Sequence, residues 1–241
     1  ESKNEINYAR RPMAIKCILK MSQLVFKFPF KAQYFEQDYF VSSNNFSAYR
    51  LIESWPNWPD KWVNIFGPGG CGKTHLANIL KKKIGKVKII KAEKINQDFL
   101  KDIENYQCLI IDNYDKNIDE NVFYSIMNQS KQLDIYVVIN SLSPIKDFKF
   151  KLNDLKSRAK SFVNLGIELP TDDLLKVIIS KYFSDKQIEI SPKISEFIIK
   201  NIERSYEKVF KCIKEIDELS LSSGKSININ LIKKVLIDEK I

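Results

Sequence analysis

An eight-residue glycine-rich segment constrains this chain more than any other feature. Residues 67–74 read Gly-Pro-Gly-Gly-Cys-Gly-Lys-Thr and match the pattern G-x-x-x-x-G-K-[ST] in full. The segment lies between an apolar run at 62–66 that predicts a strand and a pattern at 73–84 that predicts a helix. Glycines let backbone N–H groups curve around phosphate oxygens, and the helix N-terminus adds partial positive charge. The candidate nucleotide-binding residues here are Gly67, Pro68, Gly69, Gly70, Cys71, Gly72, Lys73, Thr74 and His75.

Within this phosphate loop, single side chains have distinct expected tasks. Lys73 is expected to reach the β- and γ-phosphates of ADP or ATP, and the Thr74 hydroxyl to bind Mg²⁺. Asp112 ends a predicted strand at 107–112, which places it beside the loop as the second magnesium ligand. The alternative for Asp112 is a strand cap without a metal. His75, the only histidine, is expected to pack or cap and is assigned no chemistry.

The residue after Asp112 is Asn113, where enzymes that split ATP often have a second acid. An amide can orient water but cannot accept its proton as a carboxylate does. This position predicts a site that binds nucleotide and has weak or no ATPase activity of its own.

Short Val/Ile-rich runs alternate with helical patterns up to Pro170, including a predicted helix at 92–103, which indicates a parallel sheet flanked by helices. After Pro170 only helical patterns follow. The predicted fold class is α/β with a C-terminal helical lobe. The expected divisions are a tail at 1–30, a nucleotide-binding core at 31–170 and a helical lid at 171–241.

Bulk properties narrow the class of protein. No apolar stretch approaches the ~20 residues that span a bilayer, so no membrane contact is expected. The four cysteines are widely separated, which fits reduced thiols and a cytoplasmic location. The net charge of +9 comes mostly from scattered lysines, which form either a solvated surface or a DNA-binding face.

Several further segments, taken in order, resemble one family. They are QLVFKF, DYFVSSNN, WPNWPDKWVNIFGPGGCGKTHLA, VVINSLSP, LNDLKSRAKSFVNLGIELP and IERSYEKVF. From Met21 to the end the chain resembles the AAA+ ATPases related to the initiator DnaA, and most of all the shorter Hda-type regulators of DnaA. The resemblance implies an AAA+ fold with a helical lid.

The resemblance also implies roles for single residues. Asn140 matches a polar sensor of the γ-phosphate, and Arg158 matches an arginine finger that acts on a neighbouring subunit's nucleotide. Read without the family, Asn140 is a strand-end residue and Arg158 a surface residue in a basic loop. Phe40, Val41 and Asn45 match the segment that cups adenine, although packing alone explains the two apolar ones.

The lid departs from the family, because Glu207 stands where many relatives have a sensor arginine. A carboxylate there repels phosphate, so Glu207 is expected to face elsewhere. Arg204, one helical turn earlier, is the alternative cation.

A short peptide near the beginning resembles the clamp-docking peptide of Hda-type proteins. Its expected contact residues on the DNA polymerase sliding clamp are Gln23, Leu24, Phe26 and Phe28. The same letters are also compatible with an edge strand. DnaA ends in a helix-turn-helix domain, and because this chain stops at Ile241 no sequence-specific DNA binding is expected.

The leading hypothesis from the sequence is therefore a regulator that docks on the sliding clamp and stimulates hydrolysis of DnaA-bound ATP. An autonomous ATPase that loads a helicase is one alternative, and a nucleotide-responsive adaptor without effect on ATP turnover is another. A homodimer is also compatible with the sequence.

Overall fold

A computed structural model describes residues 36–114 and 118–238 of the chain. The expected tail at 1–30 and the candidate clamp peptide at 23–28 lie outside the described residues. None of the helices in the described ranges is long and apolar enough to cross a membrane.

A five-stranded parallel sheet forms the centre of the core, with the order β2-β3-β4-β1-β5. Its strands are β1 Trp62–Phe66, β2 Val87–Lys91, β3 Cys108–Tyr114, β4 Tyr136–Ser141 and β5 Val163–Gly166. The central strands consist mostly of buried apolar residues because helices cover both faces of the sheet. The predicted α/β fold class is confirmed.

Four α-helices belong to the core: α1 Phe46–Glu53, α2 Lys73–Ile84, α3 Glu120–Gln132 and α4 Asn153–Ser161. The single helix predicted at 92–103 is wrong, since this segment forms two 3-10 helices, Ala92–Lys94 and Asp98–Asn105. Between them the Asn96 side chain accepts a hydrogen bond from the Phe99 N–H at 3.1 Å. Such local bonds from asparagine compete with a continuous α-helix.

The lid consists of α5 Asp172–Ser184, α6 Pro192–Asn201, α7 Tyr206–Ser223 and α8 Ile229–Asp238. Thr171 caps α5, because its side chain accepts a hydrogen bond from the Leu174 N–H at 3.3 Å. The lid has an apolar core of its own, with fully buried residues such as Ile179, Phe183 and Ile213.

The topology brings three sequence-distant positions to one edge of the sheet. Strands β1, β3 and β4 are parallel neighbours, so their carboxyl ends meet. Gly67 follows β1, while Asp112 and Asn140 lie near the ends of β3 and β4. This edge is where ligands bind in open α/β sheets.

Candidate nucleotide-binding site

The phosphate loop joins β1 to α2 through left-handed backbone that suits glycine. Gly70 has φ of 76° and Gly72 a φ of 97°. Lys73 is 8% exposed, and its Nζ donates to the carbonyl oxygens of Gly67 at 2.7 Å and Pro68 at 2.9 Å. The cation is thus held over the loop itself.

Asp112 is the centre of a hydrogen-bonded group beside the loop. Its Oδ2 accepts from Thr74 Oγ1 at 2.9 Å, and its Oδ1 accepts from Asn140 Nδ2 at 2.9 Å. Asp112 is 5% exposed and Asn140 is fully buried. The Oδ1 of Asn140 is buried without a hydrogen-bond partner, so this site retains one unused acceptor.

These side chains fit a magnesium–phosphate ligand. The Thr74 hydroxyl and Asp112 carboxylate are oxygen donors, which Mg²⁺ prefers. In residues 36–114 and 118–238 no cluster of three or more His, Cys, Asp or Glu could hold a metal alone. A magnesium ion here would take most ligands from phosphate and water, as Mg²⁺ commonly does, and would neutralise phosphate charge.

Asn113 differs sharply from its buried neighbour Asp112. It is exposed and has φ of 55°, and the pairing of β3 with β4 is irregular between Ile111 and Tyr114. Asparagine tolerates this left-handed conformation better than most residues do. The irregular end of β3 therefore places Asn113 away from the hydrogen bonds that Asp112 makes.

A cavity of about 290 Å³ lies between the phosphate loop and the lid. Two of the candidate adenine contacts, Phe40 and Asn45, line the cavity. Cys71 of the phosphate loop and His75 of α2 also line it. Val41 is half-buried and packs against the core cluster beside the cavity.

Asn45 lines this cavity, but its amide already serves the backbone. Its Oδ1 accepts from the Ser42 N–H at 2.8 Å, and its Nδ2 donates to the Phe40 carbonyl at 2.9 Å. Asn45 thus shapes the turn that carries Phe40.

Three aromatic residues to which the sequence assigns no role also line this cavity. Tyr39 is 9% exposed, meets the His75 ring edge-on at 5.3 Å, and its hydroxyl has no hydrogen-bond partner. Tyr206 and Tyr182 contribute from the lid. Burial, with Cys71 nearby, raises the pKa of Tyr206 to about 12, so its hydroxyl stays neutral. Aromatic residues at helical spacing are normally interpreted as core residues. No local sequence signal distinguishes Tyr39, Tyr182 and Tyr206 from such core residues.

Lid helices α5 and α7 each form a hydrogen bond with the core. Lys181 of α5 donates to Asp38 at 2.9 Å, and both residues line the cavity. The Tyr206 hydroxyl donates to the Glu168 carbonyl at 3.3 Å.

The expectation that Glu207 faces away from the loop is wrong. A β-carbon added to Gly69 would lie 3.6 Å from Glu207 Oε2, so the carboxylate sits against the phosphate loop. Helix α7 is fixed in this direction by Tyr206, which packs on Gly70. Arg204 is bound elsewhere, since its guanidinium makes two 3.0 Å contacts with the Asp172 carboxylate.

Arg158 lies in helix α4 and not in a loop. Its guanidinium stacks on Tyr124 at 4.9 Å and on Trp62 at 5.9 Å, and it donates to Asn128. Trp62 begins β1 whereas the phosphate loop follows its last residue, a separation of about 13 Å along the strand. Arg158 is therefore remote from the nucleotide site of its own chain.

A family model described as RNA helicase matches residues 63–149, which include the phosphate loop, Asp112 and Asn140. The match covers less than half of the chain.

Two relatives have the name chromosomal replication initiator protein DnaA. The one from Buchnera aphidicola subsp. Cinara cedri is 25% identical over 79% of this chain and 48% of its own length. The one from Buchnera aphidicola subsp. Baizongia pistaciae is 26% identical over 90% of this chain and 53% of its own. The chain spans about half the length of these curated relatives.

Solved structures show the same fold. Domain III of the Thermotoga maritima replication initiation protein DnaA superposes with a TM-score of 0.72 at 19% identity, covering 88% of this chain and 98% of that one. AMPPCP-bound DnaA from Aquifex aeolicus gives a TM-score of 0.67 at 19% identity, covering 86% and 69%. Together with the sheet order, these likenesses show that the chain has the fold of DnaA domain III.

Proposed function

We propose that this chain is an AAA+ protein that binds ADP or ATP with Mg²⁺ and regulates the initiation of chromosomal replication. The observation that carries the nucleotide part is the hydrogen-bonded group of Thr74, Asp112 and Asn140 beside a complete phosphate loop. The names of the DnaA relatives, and the AMPPCP bound in one DnaA structure, support the same ligand and process.

In this proposal the chain holds its nucleotide and hydrolyses it poorly. Asn113 supplies no carboxylate, and its exposed, left-handed position lies outside the Asp112 hydrogen bonds. Rapid ATP hydrolysis by the isolated chain would contradict this part and would favour an autonomous helicase loader.

The regulatory part assigns Arg158 to the ATP of a DnaA initiator in contact with this chain. Its distance from the phosphate loop of its own chain supports action on a neighbour. A positive fork aimed at phosphate stabilises the charge that develops during transfer. The peptide at 23–28 would hold the chain on the sliding clamp, and this assignment rests on its sequence alone.

The decisive experiment measures turnover of DnaA-bound ATP in the presence of this chain and clamp loaded on DNA. We expect Arg158→Ala to lower the stimulated rate by about 10³-fold. Arg158→Lys keeps the charge without the fork and should recover only a small part of the rate. Arg50→Ala is the matched control, because Arg50 likewise stacks on a ring, that of Phe46.

Because Arg158 also packs on Trp62 and Tyr124, each variant needs a thermal melt beside the rate. A folded Arg158→Ala protein that stimulates as well as the parent would rule out the finger. Clamp pull-down with Gln23→Ala tests the docking peptide separately, and undiminished binding would remove it from the proposal.

A further inference from the structure

Helix α7 presents its first turn to the phosphate loop. Tyr206 is 2% exposed, and its Cβ would lie 3.1 Å from a β-carbon on Gly70. Phe210, one turn later, would lie 3.6 Å from the same β-carbon. The register of α7 is therefore fixed, and its second residue, Glu207, must point along the loop at Gly69.

Helix α7 has its N-terminal end beside the phosphate loop, and such an end normally attracts phosphate. A helix N-terminus carries partial positive charge from unpaired N–H groups, and anions are stabilised near it. In α7 a carboxylate stands in that first turn and offsets this charge. A polyphosphate on the loop would thus meet a negative side chain where the fold offers a positive one.

Among the lid residues that the structure describes, no cation forms an ion pair with Glu207. Arg204, the nearest arginine in the sequence, is engaged by both oxygens of Asp172. The cation on the loop is Lys73, whose Nζ is already held by the carbonyl oxygens of Gly67 and Pro68. Each further negative charge placed on the loop therefore adds repulsion from Glu207.

We propose that Glu207 is a specificity-determining residue that makes this site discriminate against the third phosphate of a nucleotide. The proposal rests on the nucleotide binding proposed above and deepens it by naming the preferred ligand class, a nucleoside diphosphate with Mg²⁺. Glu207 is exposed, so solvent weakens the repulsion. One charge pair at about 4 Å in a water-like medium changes affinity about fivefold.

The test compares the dissociation constants of Mg·ADP and Mg·AMPPCP by isothermal titration calorimetry at low and high salt. AMPPCP supplies the third phosphate without turnover. For Glu207→Gln, which preserves shape and removes charge, we expect the ratio of the two constants to shift by about fivefold toward AMPPCP. Glu207→Arg should shift it further, and added salt should reduce the parent's discrimination.

Glu218→Gln is the matched control, since it makes the same change on α7 about 16 Å further along the helix. It should leave the ratio unchanged. An unaltered ratio in Glu207→Gln would overturn the inference, and so would weaker AMPPCP binding, which would make Glu207 a magnesium ligand. If the parent binds neither ligand, the proposed nucleotide binding itself fails.

Discussion

At the scale of single residues, Asp112 joins three segments that are far apart in sequence. Both of its oxygens are satisfied, one by the Thr74 hydroxyl and one by the Asn140 amide. Asn64 supports the same edge, because its Nδ2 donates to Ser141 Oγ at 2.8 Å and its Oδ1 accepts from the Ile145 N–H. The amide of Asn140 therefore supports the fold by donating a hydrogen bond to Asp112.

Replacing that donor by a second carboxylate should make the buried Asp112 carboxylate destabilise the fold. In Asn140→Asp a second buried carboxylate faces Asp112, and we expect unfolding free energy to fall by about 3 kcal/mol at pH 7. Repulsion would raise the folded-state pKa of one carboxyl, so that stability is present at low pH and lost as pH rises through that pKa. Urea denaturation at pH 7 and pH 4.5 measures both effects, and the deficit should shrink at the lower pH.

The control for this change is Asn113→Asp. It alters the same atoms at an exposed position whose left-handed φ aspartate also tolerates, so we expect a change within about 0.5 kcal/mol. A stable Asn140→Asp protein at pH 7 would show that the Asp112 contact contributes little.

The position of the phosphate loop between a strand and a helix was predictable because its motif requires that context. The motif alone identifies Lys73 and Thr74, and the end of an apolar strand identifies Asp112. The packing of Arg158 between Trp62 and Tyr124 was not predictable, since those rings come from β1 and α3. Only the folded chain brings them together.

At the scale of elements, the strands and helices with a strong hydrophobic periodicity could be predicted, and those without it could not. The apolar runs of β1 to β4 and the amphipathic helices of the lid appear in the sequence within a few residues of their observed bounds. Helix α4 has mostly polar residues around Leu155 and Ala159, so its pattern is weak. The 3-10 helices after β2 depend on an asparagine side chain that periodicity does not register.

Helix α4 is held at its N-terminus by a residue of another helix. Glu120 of α3 accepts from the backbone N–H groups of Lys151 at 2.8 Å and Leu152 at 2.9 Å. This arrangement does from a distance what a capping side chain does locally. Because α4 carries Arg158, Glu120 helps to position the candidate finger.

Glu120→Ala should free these two amides. We expect unfolding free energy to fall by about 1 kcal/mol and hydrogen exchange at residues 151 and 152 to accelerate. Glu120→Gln keeps one carbonyl acceptor and should lie between the parent and Glu120→Ala. Unchanged exchange at both amides would mean that α4 is held by its apolar contacts alone.

At the scale of the whole molecule, the lid and the core enclose the cavity together. Lys181 and Tyr206 contact the core from two different lid helices. The sequence predicts a helical lobe after Pro170 but not how it sits, since these contacts join residues more than 35 positions apart. The position of Glu207 on Gly69 is a consequence of that docking.

A ligand that bridges loop and lid should stabilise both. With Mg·ADP at about 100 times its dissociation constant, the folded state gains about 2.7 kcal/mol. For a chain of this size, that corresponds to a rise in Tm of about 5–10 °C. Differential scanning fluorimetry measures the shift.

Lys73→Ala should abolish this Tm shift, because Lys73 is the loop's own cation. Lys81→Ala, an exposed change on the same helix, should retain it. A full shift in Lys73→Ala would place the nucleotide away from the phosphate loop.

The separation of Arg158 from the phosphate loop gives the molecule a polarity. If one end lends an arginine and the other receives one, joined subunits all point the same way, and a twofold pair would bring like ends together. Such head-to-tail contacts grow in a row unless their rotation closes a ring. Such a row would then stop growing at the first subunit whose free end contacts no subunit able to lend or receive an arginine.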